Sequence, residues 1–130
     1  MGVSEDKHLT VMVVDDNEDL REMLRYMVER LGYRVVEAEN GREAVEIARR
    51  RCPDLILMDL SMPVMDGLAA TRLLRKMEEM YHVPIVAVSA NRRESSQADA
   101  LSAGCNEYLI KPVNFHQLDS LLGNWLPARI

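Results

Sequence analysis

Five short apolar runs rich in β-branched residues recur along the chain: Leu9–Val14, Tyr33–Ala38, Leu55–Met58, Pro84–Val88 and Tyr108–Ile110. Runs of this length, bounded by turn residues, predict strands buried on both faces of a parallel sheet. Between them the apolar positions fall at helical spacing. Leu20, Met23, Leu24, Met27, Val28 and Leu31 line one side of a first helix, with Arg21, Glu22, Arg25 and Glu29 on the other and Gly32 closing it. A second helix follows Asn40-Gly41 and turns Ala44, Ile47 and Ala48 inward; a third follows Gly67 with the stripe Ala70, Leu73, Leu74, Met77. The last carries Phe115, Leu118, Leu121, Leu122 and Trp125. The fourth, from Arg92 to Ala103, has small and polar side chains and so predicts a weakly held helix.

Strand and helix alternating five times predict an α/β fold with a parallel sheet and helices on both faces. Right-handed crossovers leave few arrangements, of which the flavodoxin-like (βα)5 order 2-1-3-4-5 is the expected one. The 130 residues, 48% hydrophobic and 28% charged, fit one globular domain. It is expected to span residues 9–126, between short tails at 1–8 and 127–130.

The net charge of −5 gives no electrostatic footprint for DNA or RNA, so direct nucleic-acid binding is not expected. The one basic run, Arg49-Arg50-Arg51, suits a helix C-terminus, where cations complement the dipole. Cys52 and Cys105 have no CxxC spacing and read as reduced core thiols of a cytoplasmic protein. No apolar run approaches the ~18 residues of a membrane helix. The polar start, Met1 to His8, lacks the apolar stretch of a secretory signal. His8, His82 and His116 are expected on the surface, which argues against a phosphohistidine carrier.

In an open α/β sheet the site forms beyond the carboxyl ends of the strands. After the first come Asp15 and Asp16; after the third, Asp59; after the fourth, Ser89; after the fifth, Lys111-Pro112. Asp15, Asp16 and Asp59 are therefore expected in one cleft, where three carboxylates repel and call for a cation. Oxygen donors without His or Cys point to Mg²⁺, with Mn²⁺ as the alternative, rather than zinc. Helix capping accounts for one acidic residue after the first strand but not for Asp59. At the edge of the core, Asp59 is placed to ligate the metal or to attack phosphorus. Lys111 offers a mobile cation for a phosphoryl oxygen and Ser89 a hydroxyl. Lys111–Pro112 is a candidate cis bond that would aim the lysine into the cleft.

These residues resemble the receiver domain of bacterial two-component response regulators, from about Thr10 to Trp125. The resemblance rests on Val13-Val14-Asp15-Asp16, on Leu57-Met58-Asp59-Leu60-Ser61-Met62-Pro63-Val64-Met65-Asp66-Gly67, on Val88-Ser89-Ala90 and on Tyr108-Leu109-Ile110-Lys111-Pro112. Four motifs in order, each at a strand end, make it specific. The resemblance implies that Asp59 accepts a phosphoryl group from a phosphohistidine of a histidine kinase or phosphotransfer protein. It implies that Asp15, Asp16, Asp59 and the backbone carbonyl of Ser61 hold Mg²⁺. Ser89 matches the switch hydroxyl, Tyr108 the aromatic that turns inward on activation, and Lys111 the lysine of the pattern. The face formed by strand 4, helix 4, strand 5 and helix 5 would then change shape to control an output partner or a dimer. Such a chain is a signalling domain that assists its own phosphotransfer and dephosphorylation rather than a turnover enzyme.

Three other classes fit less well. A haloacid-dehalogenase-type phosphatase needs a second Asp two residues after the nucleophile, where this chain has Ser61. A flavin mononucleotide binder needs Ser, Thr and Gly amides after the first strand, where this chain has Asp15-Asp16. A phosphorylation-independent receiver-like interaction module is the remaining alternative, and the intact set Asp15, Asp16, Asp59, Ser89, Lys111 argues against it. The run from Met62 to Thr71 is more like receivers of hybrid kinases and single-domain regulators.

Overall fold

The computed structural model of the chain describes residues 9–62 and 64–126. The expected tails at 1–8 and 127–130, His8 and Pro63 lie outside the described residues. Five strands, β1 (Thr10–Val14), β2 (Arg34–Ala38), β3 (Leu55–Asp59), β4 (Ile85–Ser89) and β5 (Glu107–Ile110), alternate with α1 (Glu18–Arg30), α2 (Gly41–Arg50), α3 (Gly67–Arg75), α4 (Glu94–Ala103) and α5 (Phe115–Trp125). All neighbours are parallel, in the order β2-β1-β3-β4-β5 expected from the sequence.

The central strands β3 and β4 are buried along their whole length, which is why they read as unbroken apolar runs. Alternate residues point to opposite faces. Met12, Val14, Ile56, Met58, Ile85 and Ala87 meet α2, α3 and α4, while Val11, Val13, Leu55, Leu57, Val86 and Val88 meet α1 and α5. Helix stripes are narrower than the periodicity implies: Leu24, Leu74 and Leu118 are fully covered, whereas Met23, Leu73 and Phe115 remain exposed at the margins.

Four helices begin on a side-chain cap of the same kind. Asn17, Asn40, Asp66 and Asn114 accept from the amides of Leu20, Glu43, Ala69 and Gln117 respectively, each contributing about 1 kcal/mol. Because Asn17 caps α1, neither Asp15 nor Asp16 is needed for that task. Helix α4 has no side-chain cap and buries only Ala100 and Ala103, as its composition predicts. Its far end is held instead by Arg75, whose guanidinium donates to the carbonyls of Gly104 and Met80 and to Asn106 Oδ1.

The expectation of strands buried on both faces fails at the sheet edges, where β2 and β5 are half-buried, and that of two core thiols holds for one. Cys105 is buried against Thr71, but Cys52 is exposed. It lies past the end of α2, in the connection to β3, where the short 3-10 turn Glu78–Met80 covers it only in part; its thiol rests 3.5 Å from the Glu79 carbonyl. The Arg49–Arg51 run does sit at the C-terminus of α2. The Lys111–Pro112 bond is cis. No helix among the described residues is long and apolar enough to cross a membrane.

Gly67 opens α3 directly against the end of β3: a methyl group there would collide with the Asp59 carbonyl and the Leu60 Cα, both backbone atoms that cannot swing aside. Gly67→Ala is therefore expected to destabilise the fold by about 2–3 kcal/mol in urea unfolding. Gly123→Ala, on α5 with open space around it, should instead stabilise by about 0.5–1 kcal/mol. Equal effects of the two changes would refute this account of the β3–α3 junction.

Candidate functional site

Parallel pairing brings the strand ends into line. Val14 pairs with Met58, Asp59 with Val88 and Ser89 with Ile110. The ladder continues one step beyond the strands, through Asp15 N–H to the Ala38 carbonyl at 3.1 Å and Lys111 N–H to the Ser89 carbonyl at 2.8 Å. Asp15 just past β1, Asp59 and Ser89 as the last residues of β3 and β4, and Lys111 just past β5 therefore share one edge.

Asp15, Asp16 and Asp59 each place a carboxylate oxygen within 4.8 Å of the others. Asp15 and Asp59 are 1% and 2% exposed, and Asp16 faces solvent. Lys111 Nζ stands 3.6 Å from Asp15 Oδ2 and 3.5 Å from Asp59 Oδ1, bridging the two buried acids. Asp15 Oδ1 accepts from the Asn17 amide at 2.9 Å, and Asp59 Oδ1 from the Ser61 amide at 3.2 Å. Asp15 Oδ2 is buried and, among the described residues, has no hydrogen-bond partner. Burial above all, with the nearby Asp15 charge, pushes the Asp59 carboxyl up to about 6, against the opposing pull of the Ser61 amide and Lys111.

This arrangement fits a hard divalent cation. The donors are oxygens alone, two are desolvated, and the orphaned Asp15 lone pair has a natural partner in such an ion. An unpartnered buried carboxylate oxygen is otherwise costly, by about 1–3 kcal/mol or more.

Beside the acidic cluster, Ser89 and Tyr108 are tied through one residue. Ser89 Oγ accepts from the Asn91 amide at 3.0 Å, and the Tyr108 hydroxyl donates to the Asn91 carbonyl at 2.8 Å. Both line a cavity of about 340 Å³ with Leu60, Ser61, Leu68, Ser96 and Asp99. On the other side a second, almost wholly apolar groove of about 330 Å³ is walled by Leu20, Met23, Leu24, Pro112 and Val113 and reaches Asp15 and Lys111. His82 and His116 are exposed and outside the cleft.

Helical periodicity put Arg21 on the solvent side of α1, and the structure corrects that. Its side chain is only 11% exposed, with Nε 2.8 Å from Glu37 Oε1 and Nη1 2.9 Å from the Asp15 carbonyl. The available signal was Glu37, an acid embedded in the apolar run Val35-Val36-Glu37-Ala38 and in need of a partner.

The family model for the response regulator receiver domain matches residues 11–122. The polar-differentiation response regulator DivK of Brucella anthropi is 34% identical over 117 residues, covering 90% of this chain and 95% of that protein. Among solved structures, the receiver domain of the sensor histidine kinase PA1611 from Pseudomonas aeruginosa is 38% identical, with a TM-score of 0.85 over 91% of this chain and 97% of that one. That structure has a magnesium ion coordinated in the active-site cleft. The chemotaxis protein CheY4 of Vibrio cholerae is 28% identical, with a TM-score of 0.87 over 92% of this chain and 99% of that one. The fold, the acidic site at its strand ends and these matches together are those of a two-component signalling domain. The chain belongs to the response regulator receiver domains.

A raised Asp59 pKa has a consequence for the metal-free fold. The folded chain holds this proton more tightly than the unfolded chain, so the group favours folding fully below about pH 4 and that contribution is lost as pH rises through about 6. In the presence of chelator, Asp59→Asn should match wild type near pH 4 and exceed it by about 2–3 kcal/mol above pH 7. Chemical denaturation at the two pH values checks this, and a pH-independent difference would contradict it.

Proposed function

We propose that the chain is a phosphorylation-controlled switch of a two-component phosphorelay, with Asp59 as the phosphoacceptor. The observation that carries this reading is the meeting of Asp15, Asp16, Asp59 and Lys111 at one strand edge, with a buried Asp15 oxygen that accepts no hydrogen bond among the described residues. The donor is a phosphohistidine of a histidine kinase or a histidine phosphotransfer protein. An Asp59 carboxylate oxygen attacks phosphorus in line, the P–N bond breaks, and the imidazole leaves with the bonding pair and takes up a proton. The product is an acyl phosphate on Asp59, which water later hydrolyses to restore the carboxylate.

Asp15, Asp16, Asp59 and the carbonyl of Ser61 would hold Mg²⁺, or Mn²⁺ in its place. The ion's chemistry here is neutralisation of charge on the transferring group and on the crowded carboxylates. The chain's own groups do the rest. Asp15, anchored by the Asn17 amide, fixes the geometry of the ligand set. Lys111, bridging the two buried acids, is free to move its ammonium onto a phosphoryl oxygen once Asp59 is modified. The apolar groove beside Asp15 and Lys111 suits the surface of a donor protein that must bring an imidazole to the cleft and exclude water.

Ser89 is the switch hydroxyl and Tyr108 the switch aromatic. Attraction of Ser89 toward the phosphoryl group would disturb its bond to the Asn91 amide, and the Asn91 carbonyl carries that change to Tyr108. The face of β4, α4, β5 and α5 then presents a different surface to an output partner or to a second copy, as a shift between existing conformers. The lightly buried α4 supports such a role. The domain assists its own phosphotransfer and dephosphorylation without turning over a separate substrate, and it works in the cytoplasm.

Incubation with a small acyl-phosphate donor and Mg²⁺ should add one phosphoryl group by intact mass in wild type and none in Asp59→Asn or with chelator. Phosphorylation retained by Asp59→Asn would overturn the assignment. Beryllofluoride without any spectral change in wild type would favour the phosphorylation-independent module. Lys111→Ala should keep Mg²⁺ binding but show a much reduced beryllofluoride-induced shift at Ser89 and Tyr108 by NMR; a wild-type response there would remove Lys111 from the switch.

A further inference from the structure

The peptide units on either side of Asp15 are both held by strand β2, by two different routes. The amide of Asp15 donates to the Ala38 carbonyl at 3.1 Å, a direct extension of the sheet. The carbonyl of Asp15, which belongs to the peptide linking Asp15 to Asp16, accepts from Arg21 Nη1 at 2.9 Å. Arg21 is in turn fixed by Glu37, the residue preceding Ala38, through Nε to Oε1 at 2.8 Å. Arg25 takes the other Glu37 oxygen at 2.6 Å and also meets Glu29 at 3.1 Å. The planar guanidinium reaches the Glu37 carboxylate and the Asp15 carbonyl from two separate nitrogens, Nε and Nη1, in a fixed fork that the single nitrogen of an ammonium does not reproduce. Glu37 lies below the usual carboxylate range: burial opposes this, but the two guanidinium partners outweigh it.

We propose that Arg21 is a positioning residue for the metal-binding loop. It acts by clamping the Asp15–Asp16 peptide to Glu37, so that two mutually repelling carboxylates stay in ligating register before any cation arrives. The inference rests on the metal site of the proposed function. Geometry and charge have opposite signs here. Through charge alone, a cation near a cation site weakens metal binding, so neutralising it should tighten Mg²⁺. Through geometry, losing the clamp frees the loop and weakens Mg²⁺. Outer partners that orient metal ligands typically change affinity by 10-fold or more when removed. Pairing with Glu37 balances the Arg21 charge, and so the geometric effect dominates.

Mg²⁺ titration calorimetry on the full chain should give Arg21→Gln an affinity about tenfold weaker than wild type. Arg25→Gln removes the same charge from the same network without touching Asp15, and should bind within about twofold of wild type. Arg21→Lys keeps the charge but replaces the two-nitrogen fork by a single nitrogen on a shorter reach, and should also be weakened; it serves if Arg21→Gln fails to fold. Hydrogen exchange on the metal-free proteins gives a readout independent of the ion. The amides of Asp15 and Asn17 should exchange faster in Arg21→Gln and Arg21→Lys, and unchanged in Arg25→Gln. Unchanged or tighter Mg²⁺ binding in folded Arg21→Gln or Arg21→Lys would overturn the proposal. Wild type failing to bind Mg²⁺ would overturn the metal site itself, and the inference with it, whatever the exchange rates do.

Discussion

Three carboxylates converge at the carboxyl edge of this sheet, and two of them, Asp15 and Asp59, are almost wholly withdrawn from water. Like charges at that separation repel by about 3–4 kcal/mol per pair at the effective dielectric of a protein. The net stability of a small domain is only about 5–15 kcal/mol, so the arrangement must be imposed by the surrounding fold. The imposing element is the pair of strands beneath. β1 and β3 are adjacent, in register and buried, and their ends cannot separate without opening the apolar layers on both sides. The carboxylates are thus held together by the core rather than by attraction, and Lys111 relieves only part of the strain on the oxygens it bridges.

Much of this was legible in the chain because the three inner strands obey one rule, while the edge strands β2 and β5 are only half-buried. Continuous burial makes β1, β3 and β4 unbroken apolar runs, and a parallel sheet with right-handed crossovers then fixes which residues share an edge. Asp15, Asp59, Ser89 and Lys111 follow from that with no knowledge of side-chain geometry. What the pattern could not supply were interactions set by individual side-chain reach. Arg21 sits on what periodicity marks as the polar face of α1, yet its length carries the guanidinium back over the end of the sheet. Cys52 looked like a core thiol because cysteines usually are, but the end of α2 leaves it uncovered. The capping of α1 by Asn17 instead of either aspartate is likewise a choice among neighbouring residues of similar propensity, decided only by backbone direction at the loop.

The polar contacts around the cleft divide into two unlike sets. On the β2 side every group is fixed more than once: Asp15 by its amide, its carbonyl and its carboxylate, Glu37 by two guanidinium groups. On the β4 side, among the described residues, Ser89 and Tyr108 are joined through Asn91, next to a cavity and to a helix with no side-chain cap. In the proposed function these two sets have opposite tasks. Ligands for a small, geometrically demanding cation must not move when the ion arrives, because any rearrangement subtracts from affinity. A switch must have somewhere to go and little to break on the way.

That asymmetry also explains why the fourth helix can be so poor by the usual measures without endangering the fold. Its small side chains bury little, but the β3 and β4 strands are already covered on the same face by α3 and by Met80. Arg75 ties its C-terminal end to the chain that enters β5, leaving the N-terminal end, nearest Asn91, the less anchored of the two. A helix held at one end by a guanidinium and at the other by a short loop can tilt without unfolding, since the contacts at its fixed end survive the motion. The weakness of α4 therefore lies beside Ser89, where in the proposed function a change at Asp59 would first be felt, and not in the layers that force the carboxylates together.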